Sequence, residues 1–100
     1  MIAHKGENII IGSVVKPVSG VFNLADYTIR CVVSNIRNNE VLKKENADIV
    51  RNNEENAVAC VLTSGETKVM KGLYFVTFEL YAQSGEKVLS NEVEQLTIVE

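Results

Sequence analysis

The stretch Leu73-Tyr74-Phe75-Val76-Thr77-Phe78-Glu79-Leu80-Tyr81-Ala82 decides the fold class. Tyr74, Val76, Phe78 and Leu80 alternate with Phe75, Thr77, Glu79 and Tyr81. Successive side chains of a strand point to opposite faces, so this period of two specifies a long strand with one face in the core. Ser84-Gly85 then turns the chain into residues 87–89 and on to Gln95-Leu96-Thr97-Ile98-Val99, an antiparallel hairpin signature.

Upstream the same period recurs. Over residues 26–34, Tyr27, Ile29, Cys31 and Val33 point one way and Thr28, Arg30 and Ser34 the other. Over residues 56–63, Val58, Cys60 and Leu62 oppose the smaller Ala57, Ala59 and Val61. Residues 9–15 form an apolar, β-branched run closed by Lys16-Pro17, and Pro17 with Ser19-Gly20 makes the next stretch a loop. Between Leu62 and Leu73 the chain reads as a crossover with at most one helical turn.

The middle is different. Fifteen of the twenty residues from Arg37 to Asn56 are Asn or charged, which predicts solvated edge strands and turns. Arg37-Asn38-Asn39-Glu40 recurs as Arg51-Asn52-Asn53-Glu54, fourteen positions on. Asn tolerates the left-handed backbone of tight turns, so each copy reads as a turn, and the interval fits one strand traverse between opposite ends of a sheet. The competing reading is a short helix over residues 40–50.

Composition agrees with strands. The 100 residues hold 15 Val, 8 Ile and 5 Thr against 13 Ala plus Leu, and β-branched side chains favour the pleated state. The length allows one domain, residues 1–100. Six or seven short strands with turn signals between them predict an all-β, immunoglobulin-like antiparallel β-sandwich of about seven strands. Two facing sheets can bury both the Tyr27–Val33 set and the Tyr74–Leu80 set, which one sheet cannot.

The same counts exclude several functions. Ten Lys plus Arg against thirteen Asp plus Glu give a net charge of −3, with the signs interspersed, so neither a nucleic-acid surface nor a polybasic membrane patch is expected. No apolar run reaches the ~18 residues needed to span a bilayer. The start, Met1-Ile2-Ala3-His4-Lys5-Gly6-Glu7, has no basic region followed by an apolar one, so no signal peptide is read. Ten Asn include no Asn-X-Ser/Thr sequon.

Catalytic and cofactor chemistry finds no foothold. Cys31 and Cys60 lack CxxC spacing, and the single histidine, His4, cannot complete a zinc site with them without a carboxylate. Two buried thiols packing as small apolar groups is one reading of this pair and a disulfide the other. His4 near the terminus is a poor base for a nucleophile, and the pairs Glu54-Glu55 and Glu92 with Glu94 sit in polar stretches without an apolar pocket to raise a pKa. The glycines fit no phosphate loop or dinucleotide fingerprint. The expectation is a protein without enzymatic activity, cofactor or metal. On the long strand Phe75 and Tyr81 point away from the core, with Thr97 and Val99 beside them on the next strand. These four are candidate interface residues, or residues beneath a covering loop.

The order of motifs adds a resemblance. Lys5-Gly6-Glu7-Asn8-Ile9-Ile10-Ile11 leads through a Pro-Val loop into Phe22-Asn23-Leu24-Ala25-Asp26-Tyr27. After a polar hairpin, Leu62-Thr63 and Thr67 approach Gly72-Leu73-Tyr74, and Tyr81-Ala82-Gln83-Ser84-Gly85 precedes the last strand. This resembles the N-terminal domain of phage baseplate upper proteins and related small tail-associated modules with an immunoglobulin-like sandwich. Asn-Asn turns stand where Asp-Gly is more usual in that family. The resemblance implies a structural or assembly module of a phage or prophage tail, located in the virion after assembly in the bacterial cytoplasm. Its partners would be other tail or baseplate proteins and copies of itself. It further implies that Cys31 and Cys60 lie on neighbouring strands of one sheet and stay reduced. The alternative function is a bacterial surface or periplasmic β-sandwich that binds a glycan or protein ligand.

Overall fold

A computed structural model describes residues 1–16, 23–92 and 95–100. The expected loop after Pro17 and the carboxylate of Glu94 lie outside the described residues. Nine strands are described: β1 (Ile2–His4), β2 (Ile9–Val14), β3 (Thr28–Asn35), β4 (Glu40–Lys44), β5 (Ile49–Asn52), β6 (Ala57–Leu62), β7 (Gly72–Tyr81), β8 (Lys87–Glu92) and β9 (Leu96–Val99). One sheet has the order β1-β9-β7-β3-β4, with β8 also on β7; the other is β2-β6-β5.

This is the all-β sandwich the alternation predicts, and its strand order is immunoglobulin-like. The β2-β6-β5 sheet corresponds to strands B, E and D, and β3, β7 and β9 to C, F and G. Two details differ from the expectation. There are nine strands, not seven, partly because the last segment divides into β8 and β9, each pairing a different part of β7. The sandwich is also not wholly antiparallel: β1 runs parallel to β9, with Ile2 opposite Thr97 and His4 opposite Val99.

The core lies between the sheets. Ile29, Cys31 and Val33 of β3 and Val76, Phe78 and Leu80 of β7 face Ile9 and Ile11 of β2, Ile49 of β5 and Val58, Cys60 and Leu62 of β6. The buried polar residue Thr67 is fully satisfied: its Oγ1 donates to Glu7 O at 2.7 Å and accepts from Gly6 N at 3.1 Å. That pair of bonds fixes the crossover between β6 and β7 to the loop after β1.

The polar middle resolves as two edge strands, β4 on one sheet and β5 on the other. The helical reading of residues 40–50 is not met: only a single 3-10 turn, Asn46–Asp48, joins the two strands. Both Arg-Asn-Asn-Glu copies do sit at turns. Asn35 Oδ1 caps the first, accepting from the N–H groups of Arg37 and Asn39, both at 3.0 Å, and Asn38 takes the left-handed conformation at φ 63°. Asn52 Oδ1 caps the second, where Asn56 is the left-handed residue at φ 52°. The single traverse is wrong, because the chain uses the interval for two short strands and a change of sheet.

The crossover carries α1 (Ser64–Thr67), a single turn closed by a capping box between Thr63 and Glu66. At the start of β7 the Tyr74 hydroxyl accepts the Lys71 N–H at 2.9 Å, three residues upstream. This is the tyrosine-corner arrangement of immunoglobulin-like sandwiches. Tyr74→Phe is expected to cost about 1 kcal/mol in guanidine denaturation, the typical net worth of one such bond. An unchanged midpoint would mean that water replaces the hydroxyl without loss.

Candidate functional site

The four candidate interface residues all occupy the outer face of the six-stranded sheet, and each is half-buried. They do not form one cluster. Thr97 is registered with Leu73, two residues from Phe75, and Val99 lies opposite His4. Tyr81 is six residues further along β7, about 20 Å away at the usual strand rise.

Tyr81 sits in a polar network of its own. Its hydroxyl donates to Glu79 Oε1 at 2.9 Å, Lys87 Nζ donates to Glu79 Oε2 at 3.0 Å, and the Arg30 guanidinium lies 5.0 Å from the ring centroid. Arg30 in turn pairs with Glu45 at 3.2 Å. Burial pulls the Glu79 carboxyl upward, but the hydrogen bonds from Lys87 and Tyr81 outweigh it and hold the pKa below the ordinary value. The same Glu79 bond raises the Tyr81 phenol. Its partners are supplied from within the chain, so this end of the face is a charged surface network.

The more apolar surface is on the other sheet. Strands β2, β6 and β5 turn Ile10, Gly12 and Val14, then Ala57, Ala59 and Val61, then Val50 outward. Ile10 is 69% exposed, Val50 70%, Val14 55% and Val61 41%. Register makes the patch continuous, with Ile10 opposite Val61 and Val50 opposite Ala59, and none of these seven positions is charged. Isolated exposed apolar residues are ordinary, whereas a contiguous patch on a flat sheet is characteristic of a surface that meets another protein. The sequence did carry a signal for it. Residues 9–15 are apolar on both faces, the pattern of a strand covered on both sides.

A third feature is a groove of about 270 Å³ between β4 and the crossover, lined by Val41, Leu42, Glu66, Val69, Met70 and Tyr74. The Glu66 carboxylate there accepts from Lys44 Nζ at 2.6 and 2.7 Å and from Thr63 N at 2.8 Å. Its anionic group is thus engaged within the fold.

Among the described residues, the structure does not bring His4, the two thiols and the Glu54-Glu55 pair together. His4 is exposed on β1, its Nδ1 3.0 Å from Glu100 O, while both thiols are in the core. Glu54 and Glu55 are exposed in the β5–β6 turn. Among the described residues no three His, Cys, Asp or Glu side chains gather where they could hold a metal ion. The cysteines correct the expectation of neighbouring strands. Cys31 is on β3 and Cys60 on β6, in opposite sheets. Alternation shows which side chains face inward, but sheet membership follows from where the chain crosses over, which between the two cysteines is at residues 45–48.

Compared with known proteins, this sequence matches no family model and no curated protein.

Proposed function

We propose that this chain is a non-enzymatic structural or assembly module acting through protein–protein contacts, and that it serves in a phage or prophage tail or baseplate. The observation that carries the contact role is the uncharged outer face of β2, β6 and β5, where Ile10, Val14, Val50 and Val61 stand exposed side by side. Covering those side chains removes apolar area from water at about 25 cal/mol per Å², while no charge on the patch has to be desolvated. The tail setting rests on the resemblance to baseplate upper proteins. Its partners would be neighbouring tail proteins and further copies of the chain.

The test is co-expression with the products of the adjacent genes, followed by light scattering of the purified material. The expected result is a stoichiometric complex, with itself or with a tail protein, that is lost in the double variant Ile10→Lys, Val50→Lys while the circular dichroism spectrum is kept. A parallel variant, Phe75→Ser with Tyr81→Ser, is expected to retain the complex. A wild-type chain that stays monomeric alone and beside every neighbouring product overturns the proposal.

A further inference from the structure

Strand β2 ends its sheet without the guards that the other outer strands carry. β1 is three residues long and β5 is four with Arg51 among them, β4 holds Glu40, Lys43 and Lys44 and a shift of register against β3, and β8 holds Lys87 and Glu92. Short length, charge and bulges are what keep an exposed strand edge from pairing with another chain. By contrast β2, Ile9-Ile10-Ile11-Gly12-Ser13-Val14, has six residues with no charge, no proline and an unbroken register against β6. It is the end strand of the order β2-β6-β5, and among the described residues no strand pairs with the other edge of residues 9–12.

We propose that two copies of this chain associate by antiparallel pairing of β2 with β2 at residues 9–12, about a two-fold axis normal to the sheet. The inference rests on the contact role proposed for this sheet and names a second copy as its partner. A second copy fits for three reasons. The edge is uncharged, so pairing with itself sets no like charges against each other and desolvates none. In the register centred on Ile11, Ile10 of one copy stands opposite Gly12 of the other, and the reverse, so on the outer face a bulky side chain meets a position without one. The axis also closes the assembly, because the joined sheet runs β5-β6-β2-β2-β6-β5 and ends on two short strands that each carry Arg51.

Pairing replaces water on the outward N–H and C=O groups of residues 9–12 with ladder hydrogen bonds, and it brings the exposed Ile10 side chain against the second copy. The apolar outer faces of the two sheets become one continuous surface. Val50, on β5 and two strands from the axis, takes no part in the pairing. One strand pair alone falls short of the about 1,200 Å² that a standard interface buries, so the dimer dissociates on dilution.

The experiment follows the full chain by sedimentation equilibrium over a dilution series and by amide hydrogen exchange at the two ends of that series. The expected result is a monomer–dimer equilibrium in which the amides of residues 9–12 that point away from β6 exchange more slowly as the dimer forms. Ile10→Lys sets two lysines diagonally across the axis and is expected to weaken association about tenfold or more, whereas Val50→Lys leaves it within about twofold. The two side chains are 69% and 70% exposed, so both variants keep the wild-type circular dichroism spectrum. Gly12 is left unchanged because a Cβ there would meet Val58 O at 3.3 Å. A wild-type chain that is monomeric throughout the series overturns the pairing. If that monomer still forms a complex with an adjacent-gene product, and the Ile10→Lys, Val50→Lys double variant loses it, the contact role stands without the dimer. The pairing is overturned equally if Val50→Lys abolishes the dimer, or if the dimer forms with exchange at residues 9–12 unchanged, since packing of the outer faces would then hold the copies together. Open-ended association in place of a dimer overturns the two-fold closure.

Discussion

Phe78→Ala is expected to destabilise the fold by about 3–5 kcal/mol, a large part of the roughly 5–15 kcal/mol that holds a domain of this size together. Phe78 is fully buried on the inner face of β7, between Val76 and Leu80, and its strand neighbours in register are Cys31 of β3 and Asn91 of β8. Truncation removes the transfer free energy of the ring and leaves a void that two sheets, each held by its own ladder, cannot collapse to fill. The outer-face counterpart Phe75→Ala, on the same strand and half-buried, is expected to cost well under half as much. Guanidine denaturation of the two variants measures the contrast, and equal losses would show that the inner face of β7 is not the centre of the core.

That contrast between Phe75 and Phe78 was legible in the sequence because a ten-residue alternation has only one pleated solution. The same is true of Cys31 and Cys60 as inward residues, and of the polar edge from Arg37 to Asn56, whose composition could not be buried. Three things were not legible, for one reason. The parallel pairing of β1 with β9 joins residues 95 positions apart, as in Ile2 with Thr97, and no local pattern encodes such a partner. The opposite-sheet placement of the cysteines depends on the 3-10 turn at Asn46–Asp48, where Asn46 Oδ1 accepts the Ile29 N–H at 2.9 Å as the chain leaves one sheet for the other. The outward apolar side of β2 can be read in residues 9–15, but the continuity of the patch cannot, since it exists only because β2, β6 and β5 are neighbours, which sets Ile10, Val61 and Val50 close together. In each case facing direction is local chemistry, whereas adjacency is topology.

The two sheets also meet in an ion pair, and breaking it is the other large effect expected. Lys44 on β4 belongs to the six-stranded sheet, and Glu66 lies on α1 in the crossover that leaves β6 of the other sheet. Their side chains are only 13% and 27% exposed, and the ammonium reaches both carboxylate oxygens. Glu66 also accepts from Thr63 N, so one carboxylate closes the helical cap and clamps the sheets. Glu66→Gln keeps the shape but leaves the Lys44 ammonium mostly buried beside a neutral amide. Fully buried pairs broken in this way lose about 3–5 kcal/mol; the partial exposure here lowers the expectation to about 2 kcal/mol at pH 7. Lys44→Met, which removes the charge and retains the aliphatic packing, is expected to cost less. The pH dependence separates charge from shape. Burial pulls the Glu66 carboxyl upward, but the hydrogen bonds from Lys44 and Thr63 prevail and hold its folded pKa below the usual 4.5. A depressed folded pKa contributes stability that is present above the unfolded pKa and is lost as pH falls through the folded one. Wild type should therefore weaken toward Glu66→Gln on acidification, and the gap between their guanidine midpoints should narrow from pH 7 to pH 3. A gap that stays constant over that interval would assign the loss to altered packing in the β4–crossover groove rather than to the charge that bridges the two sheets.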